Sequence, residues 1–267
     1  INHNNKSSNI LSLCEELNIK PDSVVFLDNS KYERAEVKAK IPEILVPELD
    51  DEPYNYFNIL AGIKELSYYT LSKEDLNRSS DYINLRKSNL EKTKYSSHED
   101  WLKSLKMKLT IENFKKVNLD RIHQMYNKIN QLNSTSRRLD RSTILKENKK
   151  KNNFLITARL TDNLIDFGII GLLKFTVKNK IVVVEDFLFS CRALGRGLEK
   201  YFIEITLNDY LKKNYQIKFK FNKSDKNKLC EDLLKSIFNK KNKRNEIIFN
   251  NLIKKTYKSK IVSIVYH

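Results

Sequence analysis

The sequence predicts an α/β chain in two parts: the later portion of a doubly wound parallel sheet, then an α+β domain built on a mixed sheet. Three observations lead there. Near the start, short apolar runs alternate with helical patterns, the order that produces parallel strands. Between residues 154 and 189 three strand-like runs follow one another with little between them. A long helical pattern, a further strand and a further helix come after, as in a sheet that mixes directions.

Taken in order, Lys6–Leu17 places Ile10, Leu11, Leu13 and Leu17 at helical spacing. Val24-Val25-Phe26-Leu27 is a short apolar run ending in Asp28, the pattern of a buried parallel strand. A helix over Glu33–Lys40 follows, then a strand at Ile44–Val46 closed by Pro47. Two strands are too few for a stable domain of this class. The chain also opens at Ile1, without Met and inside a polar stretch, so it reads as a piece cut at its N-terminus. Residues 54–90 are helical in pattern and link the modules, with the boundary between residues 95 and 96.

The second module reads as strand (Lys106–Ile111), helix (Asp120–Leu132), short helix (Ser142–Asn148) and strand (Phe154–Leu160). Strands Gly168–Val177 and Lys180–Phe189 are joined by a tight polar turn at Lys178–Asn179. Helix Leu194–Lys213, strand Ile217–Phe221, helices Lys226–Phe238 and Glu246–Lys255, and strand Ile261–Tyr266 complete it.

The formal charge is +17, yet the excess is mostly lysine spread along the whole chain. A dedicated nucleic-acid reader concentrates arginine and aromatics on one face, so that class is disfavoured. The dense runs Lys149–Lys151 and Lys240–Arg244 read as solvated loops. A positive surface does suit an acidic partner protein. No apolar run is long enough to span a bilayer. Cys14, Cys191 and Cys230 lie far apart, without a CxxC or a nearby His pair. Neither a disulfide framework nor a zinc site is expected, and a reducing cytoplasm fits best.

Two places carry chemistry. Asp28 ends a strand, where the carboxyl end faces the ligand crevice of a doubly wound sheet. A carboxylate there suits Mg²⁺, and Lys6 could neutralise phosphoryl oxygens; equally, Asp28 could cap the next helix and Lys6 be an ordinary surface lysine. The second place is Arg192-Ala193-Leu194-Gly195-Arg196-Gly197, between a strand and a long helix. Glycine there lets the backbone approach a diphosphate at a helix N-terminus. Glu185 and Asp186 lie on the preceding strand as candidate bases, with one expected on each face by alternation. Cys191 could accept an acyl group if exposed; His98 and His123 read as surface or packing residues.

The string INHNNKSSNILSLCEELNIKPDSVVFLDNSKYERAEV resembles the later half of the catalytic domain of FkbH-like proteins, which carry a haloacid-dehalogenase-type (HAD) phosphatase fold of class IIIC. The family's Asn-Trp-x-x-Lys-x-x-Asn-Ile stretch is met by Asn2, Lys6, Asn9 and Ile10, with His3 in place of Trp. Its Phe-x-Asp-Asp-Asn-Pro-x-Glu-Arg stretch is met by Phe26, Asp28, Glu33 and Arg34. The resemblance implies that Lys6 stabilises phosphate and that Asp28, with Asn29 replacing a second acid, holds Mg²⁺. The family's Asp-x-Asp nucleophile motif would lie upstream of Ile1. Met125–Leu139, Arg159–Leu173 and Phe187–Phe202 resemble the C-terminal part of the same proteins, and the Lys-Asn pair found there is met by Lys226-Asn227.

The Arg192–Gly197 turn is similar to the acetyl-CoA pyrophosphate loop of GCN5-related (GNAT) acyltransferases. That similarity implies acyl-CoA or phosphopantetheine bound by Arg192, Gly195, Arg196 and Gly197. Together the resemblances imply removal of phosphate from a small phosphorylated three-carbon acyl donor and loading of a glyceryl-type unit onto an acyl carrier protein. Two other readings stay open: an acyl-CoA-dependent N-acyltransferase with the first part as scaffold, and a non-catalytic carrier-docking protein.

Overall fold

The computed structural model describes residues 4–17, 19–67, 83–84, 91–243, 246–252 and 261–266. The chain divides into two compact units, 1–86 and 87–267.

In the first unit, α1 (Lys6–Leu17) and α2 (Lys31–Lys40) flank a minimal parallel pairing, the single bridge between Val25 and Leu45. Ser30 caps α2 by accepting from the Glu33 N–H, which satisfies one of the bare amides of the first turn. Val37, Ile41, Ile44 and Val46 form a small core, joined by the partly buried Ile10, Val24 and Phe26. The two expected strands are therefore reduced to one bridge. Helical structure in the expected linker is described for α3 (Tyr56–Ala61); residues 68–82 and 85–90 lie outside the described residues.

The second unit opens with α4 (His98–Ser104), capped by Ser97, and β1 (Met107–Asn113). Helices α5 (Leu119–Lys128) and α6 (Arg141–Asn148) follow, the latter capped by Asp140. Next come β2 (Asn153–Thr161), β3 (Asp166–Lys178) and β4 (Ile181–Phe189). Asn179 and Lys180 both have positive φ, the backbone demanded by a two-residue hairpin turn that matches strand twist. Then come α7 (Leu198–Lys212), β5 (Gln216–Lys220), α8 (Lys228–Ile237), β6 (Phe238–Lys243), β7 (Glu246–Leu252) and β8 (Val262–Tyr266).

One mixed sheet runs in the order β6-β7-β5-β4-β3-β2-β1-β8. The β1–β4 stretch is antiparallel, while β4–β5 and β1–β8 are parallel. Helices cover both faces. Leu172 of β3 packs with Ile122, Met125 and Tyr126 of α5 and Ile144 of α6. Gly171, one residue earlier and so on the opposite face, lies under Phe202 of α7; a Cβ at Gly171 would sit 2.9 Å from the Phe202 ring.

Three sequence expectations fail here, for tertiary reasons. Of the run Lys240–Arg244, expected as a solvated loop, residues 240–243 belong to β6, which pairs with β7. Residues 246–252, expected to be helical, form β7, because they fill the gap between β5 and β6. The helix expected over Asp120–Leu132 stops at Lys128, and Ile129 is already extended. The residues beyond it pair with β4.

Candidate active site

The β4–α7 junction contains the Arg192–Gly197 turn that the sequence singles out. β4 runs through a 3-10 turn (Cys191–Ala193) to Gly195 and Gly197, at φ 78° and 69°. Side-chain-bearing residues are strained there, so glycine is what permits this turn. Nothing lies within 4 Å of where a Gly195 Cβ would be, and Gly197 is the N-cap of α7. The turn is therefore sterically open at Gly195, next to the N-terminus of α7.

The two arginines of the turn are set back from it. Arg196 is buried, its guanidinium 4.7 Å from the Phe167 ring centroid and 3.8 Å from the buried Asp162 carboxylate. Burial lowers its pKa, with Asp162 opposing. Arg192 is half-buried, with Nη2 3.4 Å from the Phe167 carbonyl. Both reach the start of β3, which fixes the turn from behind. His98, read from sequence as incidental, places Nε2 3.0 Å from the Gly195 carbonyl oxygen and packs on Trp101. Only the fold reveals that contact, since 97 residues separate the two positions. Glu199, in the first turn of α7, is mostly buried; burial pushes its carboxyl up, and a bond from its own N–H partly offsets this.

Glu185 and Asp186 do not alternate across the sheet as expected. The β3–β4 register shifts beside Lys174, so that Asp186 pairs with Lys174 while Val184 pairs with Phe175. Glu185 is thus the extra residue of a bulge, and both carboxylates enter one ion network. Lys174 Nζ donates to Glu185 and to Glu147. Arg137 donates to Glu147 at 2.7 Å and to Asp186 at 2.9 Å. Asp186, fully buried, also accepts from the Tyr126 hydroxyl at 3.0 Å and from Thr135 Oγ1. Burial, and then the Asp186 charge, push the Tyr126 phenol well above its ordinary value. Three side-chain donors therefore hold the Asp186 carboxylate in place inside the second unit. Cys230 is buried and its thiol is pushed up to about 12, which makes it inert. His123 is partly buried on α5, and burial lowers its pKa.

In the first unit, Lys6 and Asp28 meet as an ion pair although 22 residues separate them. The Lys6 contact holds the Asp28 carboxyl below its usual range, and the same contact raises Lys6. Asp28 Oδ1 also accepts from the Ser30 N–H at 2.9 Å, and Arg34 braces the strand end through the Asp28 and Asn29 carbonyls. Asn29 itself is exposed. Among the described residues no three His, Cys, Asp or Glu side chains converge on a metal position. Asp28, already paired with Lys6, does not by itself make the oxygen cage Mg²⁺ requires.

No helix among the described residues is long and apolar enough to cross a membrane. No protein-family model matches the chain, and no curated protein matches it by sequence. Among solved structures, the ribosomal-protein-S18-alanine N-acetyltransferase of Escherichia coli is similar at 12% identity and a TM-score of 0.41. The similarity covers 56% of this chain and 99% of that one. The Paia N-acetyltransferase of Thermoplasma acidophilum, solved with coenzyme A, is similar at 9% identity and a TM-score of 0.39, over 54% of this chain and 99% of that one.

Proposed function

We propose that the second unit is a GNAT-like acyltransferase module that takes an acyl group from an acyl-CoA-type thioester and passes it to an amine. The observation that carries this is the course of β4: parallel to β5 at its start, bulged at Glu185, and ending in two left-handed glycines that open the N-terminus of α7. Gly195 and Gly197 would admit the diphosphate, while Arg192, Arg196 and His98 position the turn. An acyl-CoA supplies the activated thioester when bound. Glu185 and Asp186 are committed to ion pairs, so in this reading they hold the β4 bulge in place. Calorimetry with acetyl-CoA tests the reading. Gly195→Glu, which sets a carboxylate at an open position, should weaken binding at least about tenfold by charge repulsion and backbone strain. Gly195→Asn tolerates the left-handed backbone and should retain binding. No heat of binding, together with no thiol release across a panel of amines, would sink the proposal.

One observation favours a second reading for the first unit, the Lys6–Asp28 ion pair at the end of a parallel bridge. It suits handling of a phosphorylated acyl donor and delivery of the acyl group to a carrier protein, in the manner of FkbH-like proteins. The test is the intact mass of a carrier protein incubated with Mg²⁺, a phosphorylated three-carbon acyl donor and a longer chain carrying the Asp-x-Asp motif. An unchanged mass counts against it.

A further inference from the structure

The seam between β4 and β5 is occupied by the chain itself. Along β4, β5 pairs only with Ile181–Val184, because the bulge at Glu185 bends the rest of β4 away. Beyond Val184 the outer edge of β4 would present bare N–H and C=O groups, a template for any ligand that carries amides. That edge leads directly into the Gly195–Gly197 turn. A donor with its diphosphate at the turn would therefore lay its amide-bearing pantetheine arm along this edge.

Residues Gln131–Ser136 lie there instead. Asn133 bridges antiparallel to Leu188. The Ser134 N–H donates to the Phe187 carbonyl and the Phe189 N–H donates to the Leu132 carbonyl, each at 2.9 Å. The Phe187 N–H donates to Ser134 Oγ at 3.0 Å. The outer side of the segment is closed as well. The Asn222 N–H donates to the Ser134 carbonyl at 2.8 Å, and the Cys230 N–H donates to the Gln131 carbonyl at 3.2 Å. Asn222 Nδ2 reaches the Thr135 carbonyl at 3.2 Å and Asn227 Nδ2 the Asn133 carbonyl at 3.0 Å. Asn133 Oδ1 accepts from the Thr135 and Ser136 amides. Asn133 and Ser134 are wholly buried.

We propose that Gln131–Ser136 is an autoinhibitory strand, seated where the acyl donor's arm must lie, and that the donor binds only when this strand leaves. The proposal rests on the acyl-donor reading of the second unit. Three features suit the segment to leaving. It is a connection between α5 and α6, so its exit unfolds neither helix. Apart from Leu132, it is held by backbone hydrogen bonds and polar side chains, including Thr135 Oγ1 on Asp186, and the Asn222 and Asn227 amides can bond a ligand's amide as readily as the segment's. Ser136 sits at φ 56°, the left-handed region where a non-glycine residue is strained, so release relieves strain. Apparent affinity for the donor then equals intrinsic affinity reduced by the fraction of molecules with the seam open.

A reversible lock tests this. Ser136 Oγ and Ser224 Oγ are 3.4 Å apart, one on the segment and one on the loop after β5. In a Ser136→Cys, Ser224→Cys double variant, oxidation ties the segment in place, with the cross-link verified by intact mass. Acetyl-CoA binding, measured by calorimetry, should weaken at least about tenfold on oxidation and return on reduction. Wild-type protein carried through the same oxidation controls for the native cysteines. Asn133→Ala, which removes the acceptor of two segment amides, should tighten acetyl-CoA binding by about three- to tenfold. Equal binding by the oxidised and reduced forms overturns the autoinhibitory strand and leaves the acyl-donor reading standing. Absence of binding by wild type, the reduced variant and Asn133→Ala overturns the acyl-donor reading, and the strand's role with it.

Discussion

Replacing Lys174 with methionine tests the ion network that fixes the β4 bulge. The Lys174 side chain is 3% exposed and its ammonium serves Glu147 and Glu185, which are 18% and 20% exposed. Methionine keeps the approximate length of the stem and deletes the charge, which leaves two largely buried carboxylates short of a partner. Breaking a fully buried pair costs about 3–5 kcal/mol. Solvent reaching the two carboxylates reduces this, so the expected loss is about 2–4 kcal/mol at pH 7.

The pH dependence has a definite sign. Burial pushes the Glu147 carboxyl up, but Lys174 and Arg137 outweigh it and hold the group below its usual value. A depressed carboxyl stabilises the fold above its unfolded pKa of about 4.3, and that stability is lost as pH falls through the folded value. In Lys174→Met much of the depression is absent. The gap between wild type and variant should therefore be widest at pH 7 and narrow below about pH 4. The assay is urea unfolding followed by tryptophan fluorescence. The chain's one tryptophan, Trp101, is buried in the second unit and so reports that unit. A loss below about 1 kcal/mol at pH 7, or a gap constant from pH 7 to pH 3.5, would mean that Lys174 does not hold these carboxylates.

Other outcomes follow from single contacts. Gly171→Ala places a methyl 2.9 Å from the Phe202 ring and 3.2 Å from the Ala158 methyl, with both neighbours fully buried. It should cost about 1–3 kcal/mol in urea unfolding, and a neutral result would mean α7 is free to shift. Tyr126→Phe removes one donor from the buried Asp186 and should cost about 1–2 kcal/mol by the same measurement. Cys14 is buried, and its thiol, like that of Cys230, is raised by burial. Both should resist iodoacetamide at pH 8 and label only after unfolding, as read by peptide mass.

The strands and helices of the second unit were largely legible because their patterns are local. Leu172 and its neighbours form a continuous apolar run, as a strand covered on both faces requires. The turn at Gly195 and Gly197 was legible for a similar reason, since glycine at a strand–helix junction marks a backbone that other residues resist. Glu185 and Asp186 were misplaced because a bulge adds one residue without any mark in the sequence, and one residue reverses the face. Residues 246–252 carry no local strand mark, because the β5 edge that makes them a strand lies about thirty residues earlier.

Legible in the residues alone were the order of elements from β1 through α8 and the glycines able to form the turn between β4 and α7. Those follow from periodicity, capping and glycine, all short-range. That Lys6 meets Asp28, that Arg196 faces inward and that Asp186 is buried under three donors depends on contacts between residues far apart in sequence. The same holds for the peptide after α5, which lies along the outer edge of β4. Leu132 carries a helical pattern, yet the unpaired backbone of β4 offers its neighbours hydrogen bonds that another helical turn could not replace, and an exposed strand edge outweighs local propensity.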